Sequence, residues 1–272
     1  MKLGVIVPLH EKLQAEFKKL NEFGIPTCQL ACWDETQFTA ARAEMVVRLC
    51  RERSIEVSAL WCGYGGPAIW NLTDGPNTLG LVPPTYRYER MKTLMHGADF
   101  AKAIGVVDVI THVGFIPENP NDPEYNGLIS ALRYLVSYYK QQGCYFLFET
   151  GQESPVTLLR AIEDIGLDNL GINLDPANLI LYGKGNPVDA LDVFGKYVRG
   201  VHAKDGFYPT SGRYLGEETA LGQGKVNFPL LIPKLKAQGY NGALTIEREI
   251  SGEQQIKDIL LAKEILQKLW AA

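Results

Sequence analysis

Eight short apolar runs alternate along this 272-residue chain with eight longer segments whose apolar residues recur at helical spacing. The runs 3–8, 26–32, 55–62, 107–112, 144–149, 169–175, 198–202 and 242–247 are mainly apolar, as expected of parallel strands buried on both faces. Helices are predicted near 11–23, 38–53, 85–104, 124–142, 155–165, 186–196, 228–238 and 252–269. Gly24, Gly105, Gly143, Gly166 and Gly239 close helices ahead of the next strand, while Ser154-Pro155 and Pro229 mark starts. This repetition predicts a (β/α)8 TIM barrel, a single domain over residues 1–272. A doubly wound sheet is the alternative, but no Gly-x-Gly-x-x-Gly turn follows the first strand.

The last four runs share a second property. Cys144-Tyr-Phe-Leu-Phe-Glu149, Leu170-Gly-Ile-Asn-Leu-Asp175, Val198-Arg-Gly-Val-His202 and Ala243-Leu-Thr-Ile-Glu247 each end on a residue type that binds metals. Spacings of 26 and 27 residues separate the first three, one βα unit each. The following gap of 45 residues adds a long loop, 205–226, and a second long loop spans 63–84. Both follow strands, on the barrel face where chemistry is placed. Three carboxylates and an imidazole in one mouth repel one another unless a cation sits among them. Taken singly, each is an ordinary polar strand end; four on successive strands point to one divalent metal ion held by Glu149, Asp175, His202 and Glu247. Oxygen-rich ligation with one nitrogen suits Mn²⁺, Mg²⁺, Co²⁺ or Zn²⁺.

Such an ion, chelated by a carbonyl and its neighbouring hydroxyl, stabilises an enediolate and makes the intervening proton removable. Glu149 and Glu247, on the fifth and eighth strands, face each other across the ligand ring and are the candidate catalytic acid/base pair.

Phe148-Glu149-Thr150, Leu174-Asp175-Pro176-Ala177-Asn178, Val201-His202-Ala203-Lys204-Asp205 and Leu244-Thr245-Ile246-Glu247-Arg248-Glu249 resemble the sugar phosphate isomerase/epimerase group of the xylose-isomerase-like TIM barrel superfamily. Leu221-Gly-Gln-Gly-Lys-Val226 is similar to its loop ahead of the seventh helix, and the resemblance spans essentially the whole chain. It implies a metal-dependent isomerase or epimerase of a sugar or sugar phosphate, with these four residues on the metal and the two glutamates moving the proton. An inosose (keto-inositol) dehydratase or isomerase on the same site is the alternative. The ketose 3-epimerases of this group mostly carry a histidine where this chain has Asn178, and an arginine near Lys204 and Asp205.

His10, Trp61, His112, Asn178 and Lys204 are the candidate substrate-binding residues. His10 and His112 end the first and fourth strands, where a substrate hydrogen bond and a capped structural histidine are both compatible with the sequence. Trp61, Tyr64 and Trp70 offer faces for a sugar ring or fill the gap over the barrel. Lys204 is a point charge for a substrate oxygen or phosphate, or the partner of Asp205 or Glu249. Gly222, Gly224 and Lys225 suit a phosphate cradle as well as an ordinary turn. His96, mid-helix, reads as structural.

The net charge of −4 is the wrong footprint for nucleic acid. An abasic-site endonuclease built on a related barrel would need five histidines among its zinc ligands, and the chain has four in all. Five cysteines in no paired pattern suit a reducing compartment, and no apolar run approaches a membrane span. The expected partner is a small-molecule sugar, in the cytoplasm, without nucleic acid or membrane. Pairing of barrels into a homo-oligomer is compatible with the sequence, and a non-catalytic sugar-binding barrel is the remaining class.

Overall fold

The computed structural model describes residues 2–271 and closes the eight predicted strands into one wholly parallel barrel. In chain order the strands are β1 (Lys2–Pro8), β2 (Thr27–Cys32), β3 (Glu56–Cys62), β4 (Asp108–Thr111), β5 (Tyr145–Glu149), β6 (Leu170–Leu174), β7 (Val198–Ala203), β8 (Asp205–Gly206), β9 (Glu218–Thr219) and β10 (Ala243–Ile246). Barrel neighbours follow the chain, and β10 closes the ring between β7 and β1, with Lys2 opposite Ala243 and Val5 opposite Ile246. Each barrel strand lies within one residue of its predicted bounds. The short β8 and β9 pair antiparallel inside the loop predicted at 205–226.

Local chemistry explains the helix ends. Thr39, Asp122, Ser154 and Asn186 accept hydrogen bonds from backbone N–H groups in the first turns of Ala40–Arg53, Pro123–Gln142, Pro155–Ile165 and Pro187–Phe194. Gly143 and Gly166 end their helices in the left-handed conformation. The short helix Pro176–Leu181 lies outside the predicted helices: Pro176 opens its first turn and Asp175 Oδ1 accepts from Asn178 N at 2.9 Å.

Most of the core lies between sheet and helices, and a smaller cluster of Ala59, Trp61, Ile110 and Leu147 fills the barrel. Beneath it, the Arg199 guanidinium pairs with Asp108 at 2.8 Å and sits 3.7 Å from the Tyr145 ring centroid. Above it the interior turns polar, with Gln29, Asn173 and His202 all buried. Loop 63–84 is tied down by buried Arg90, which donates to the carbonyls of Gly80 at 2.6 Å, Pro67 at 2.7 Å and Gly65 at 3.2 Å. Gly80 is required there, since its φ is +70° and a Cβ would stand 1.9 Å from Val113 O. The two long loops meet over the mouth, where Leu72 N donates to Arg213 O at 2.9 Å. Among the described residues no helix is long and apolar enough to cross a membrane.

Candidate active site

The C-terminal ends of β5, β6, β7 and β10 bring Glu149, Asp175, His202 and Glu247 into one group able to hold a metal ion, with one donor atom from each within 4.8 Å of the others. His202 Nδ1 lies 2.9 Å from Glu149 Oε1, 2.8 Å from Glu247 Oε2 and 3.8 Å from Asp175 Oδ2. Its other nitrogen, Nε2, lies 2.7 Å from Gln29 Oε1, and the Gln29 amide nitrogen donates to Asn173 Oδ1 at 3.4 Å. A carbonyl oxygen only accepts, so Nε2 carries the proton in neutral imidazole and Nδ1 turns a lone pair toward the carboxylates. Asp175 Oδ2, His202 Nδ1 and Glu247 Oε2 are buried without hydrogen-bond partners. Acceptors left facing acceptors in a dry site are costly, and a divalent cation satisfies all of them at once. The donor set of three carboxylates and one imidazole therefore fits a metal ion.

Without an ion, protons must do its work. Burial opposes charge on His202, but Glu149 and Glu247 outweigh it and raise the imidazole well above its ordinary range. Burial also works against charge on the glutamates. The Glu247 carboxyl is nevertheless held low by Lys204 and His202, and the Glu149 carboxyl by His202 and His112. Asp175 goes the other way: burial pushes it up despite Lys204.

Above this group opens a cavity of about 480 Å³ with two unlike walls. One is aromatic: the Trp33 ring lies 4.9 Å from Trp61 and 6.2 Å from Trp70, and Trp70 lies 5.1 Å from His112. Trp61 Nε1 donates to Glu149 Oε2 and so ties this wall to the carboxylates. The opposite wall carries Lys204, Glu247 and Glu249.

The family model of the xylose isomerase-like TIM barrel matches residues 17–268. The chain belongs to that family. A xylose isomerase domain protein from Planctomyces limnophilus superposes with a TM-score of 0.90 at 35% identity, covering 98% of this chain and 96% of that one. A D-tagatose 3-epimerase-like protein has a TM-score of 0.76 at 24% identity, covering 99% and 97%. An uncharacterised protein of Methanocaldococcus jannaschii is 30% identical over 173 residues, 59% of this chain; the chain spans about half of that relative's length, 55%.

In this xylose isomerase-like barrel, Trp61, His112, Asn178 and Lys204 line the cavity, and His10 does not. β1 ends at Pro8, and the His10 ring folds back so that Nδ1 accepts from Lys12 N at 2.9 Å. Lys204 pairs with Glu249 at 2.8 Å and donates to Asn178 Oδ1 at 3.3 Å, so the two positions that depart from the 3-epimerase pattern touch each other. Asp205 turns away from Lys204: its carboxylate accepts from Gly206 N, Gly222 N, Gly224 N and Val226 N at 2.9 to 3.0 Å. The phosphate cradle anticipated at Gly222–Lys225 is thus filled by the chain's own carboxylate. Tyr64 holds Gly80 N at 2.7 Å under Arg90, and His96 stands exposed beside Glu35. Trp33, Gln29, Tyr182 and Gln152 were missed from sequence. Gln152 joins His112 Nδ1 at 3.2 Å to the Tyr182 hydroxyl at 3.1 Å.

Glu153, four residues beyond Glu149, is buried with Oε1 unpartnered, and burial pushes its carboxyl up to about 8 against the weaker pull of Lys184. The unfolded chain releases this proton near 4.5, so the stabilisation is complete below that pH and is lost as pH rises through about 8. At about 1.4 kcal/mol per pKa unit the loss reaches ~5 kcal/mol. Glu153→Gln is expected to raise the melting temperature at pH 8 and to change it little at pH 4.5. Equal effects at both pH values would show that the carboxyl is not held protonated.

Proposed function

We propose that the protein is a metal-dependent isomerase or epimerase acting on a ketose-type sugar. The observation that carries this reading is the group of three carboxylates and one imidazole at the floor of a cavity, with Asp175 Oδ2, His202 Nδ1 and Glu247 Oε2 unpartnered and Glu149 and Glu247 carried three strands apart at the ends of β5 and β10. A divalent cation held by Glu149, Asp175, His202 and Glu247 supplies a Lewis acid for a carbonyl and its neighbouring hydroxyl. The rest is done by side chains. Trp61 fixes the Glu149 carboxylate in one orientation. Lys204 Nζ, 3.6 Å from Glu247 Oε1, holds the second carboxylate ionised and ready to accept a proton. The ionised glutamate takes the proton from the carbon next to the carbonyl. The other, which enters that turnover protonated, gives its proton to the opposite face, so the centre inverts and the two glutamates exchange protonation states.

The D-tagatose 3-epimerase-like neighbour supports a sugar-directed reaction of this kind. The inosose alternative drawn from the sequence is not favoured by these relatives. Incubation of the Mn²⁺-loaded protein in deuterated water with D-tagatose, D-psicose and D-fructose tests the reading. Deuterium is expected at the carbon next to the carbonyl of at least one ketose; no incorporation across a broader ketose panel would sink it.

A further inference from the structure

We infer that the sugar bound here is uncharged: an unphosphorylated ketose that rests its C–H face on Trp33 and Trp70 and turns its hydroxyls toward Lys204, Asn178 and Glu249. The inference rests on the sugar chemistry proposed above and adds what that reading leaves open.

Charge is the first argument. Glu149, Glu247 and Glu249 line the cavity and Asp175 lies just beneath, whereas Lys204 is the one lysine or arginine among the lining residues. Its ammonium is already engaged, 2.8 Å from Glu249, 3.6 Å from both Glu247 and Asp175, and 3.3 Å from Asn178 Oδ1. Four carboxylates thus face one ammonium and one divalent cation, and the loaded site stays net negative. A sugar phosphate, with a charge of about −2 at neutral pH, would enter against that field with no free cation to meet it.

The backbone supplies no substitute. The nest of N–H groups at Gly206, Gly222, Gly224 and Val226, which has the geometry to hold an anion, is closed by four hydrogen bonds to Asp205. That carboxylate is buried and belongs to the same chain, so no ligand displaces it without unmaking the loop.

The aromatic wall then says what does fit. Trp33 and Trp70 remain 46% and 39% exposed, large indole surfaces left open at the mouth of a polar site. Sugars carry hydroxyls on one side and apolar C–H bonds on the other, and the two walls of this cavity match those two sides.

Titration of the Mg²⁺-loaded protein, read by tryptophan emission, tests this with matched probes: D-fructose, D-tagatose and D-psicose against D-fructose 1-phosphate and D-fructose 6-phosphate. Free ketoses are expected to change the emission and the phosphates to bind at least tenfold more weakly. Trp70→Leu should weaken free-ketose binding about tenfold with metal-dependent melting unchanged. Glu249→Gln should narrow the preference against phosphates severalfold. Phosphates binding as tightly as free ketoses, or no free ketose binding at all, overturns the inference. Deuterium exchange read in the same samples separates the two readings: binding of free ketoses without exchange removes the isomerase and leaves the uncharged ligand.

Discussion

Glu149→Gln and Glu247→Gln are each expected to slow interconversion of the substrate epimers by about 10²- to 10⁴-fold, the range lost when a positioned acid or base is removed. Glutamine keeps the shape and one carbonyl oxygen, so Trp61 Nε1 still finds an acceptor in the Glu149 variant. What disappears is the ability to take a proton, together with one negative charge of the metal-holding group. With one base on each face of the reacting carbon, the single variants should differ in a diagnostic way. Each loses proton removal from one epimer and retains solvent exchange with the other, while interconversion fails in both. The comparison is made at matched metal occupancy, because both carboxylates belong to the group around His202 Nδ1. A variant that keeps more than a tenth of the parent interconversion rate at full occupancy would remove that glutamate from the proton-transfer pair.

The barrel and the four strand-end residues were legible because both are local patterns. A strand buried on both faces is a run, its last residue points into the mouth, and the caps sit beside the helices they start. What brings distant residues together was not legible. Gln29 is a polar residue inside an apolar run, which hints at an interior role, but its partner His202 is 173 positions away and meets it only through barrel closure. Trp33 lies one residue past β2, and nothing in its neighbourhood says that it will pack on Trp61. His10 fails for a related reason. It is two residues beyond the end of β1, and a local turn captures its ring before the mouth does. The glycines at 222 and 224 show the limit most clearly. They do form an anion-binding nest, as their sequence allows, yet the anion it binds is Asp205.

Metal loading should release one proton from His202 and stabilise the fold. In the metal-free protein burial opposes charge on the imidazole, but Glu149 and Glu247 outweigh it and raise its pKa well above the ordinary range, which favours a proton on Nδ1. A metal ion must displace that proton. Apparent affinity is therefore expected to rise about tenfold per pH unit below the raised pKa and to level off above it. Calorimetry in buffers of different ionisation enthalpy counts the proton directly. At a free metal concentration a hundred times its dissociation constant the ion adds about 2.7 kcal/mol of stability, roughly 5–10 °C in melting temperature. Asp175→Asn should erase most of that gain without unseating the helix that follows, since the remaining Oδ1 can still accept from Asn178 N. It removes the charge behind the unpartnered Oδ2, which is the atom turned toward His202. Binding without proton release, or equal metal stabilisation of the parent and Asp175→Asn, would mean that the ion sits somewhere other than among these four residues.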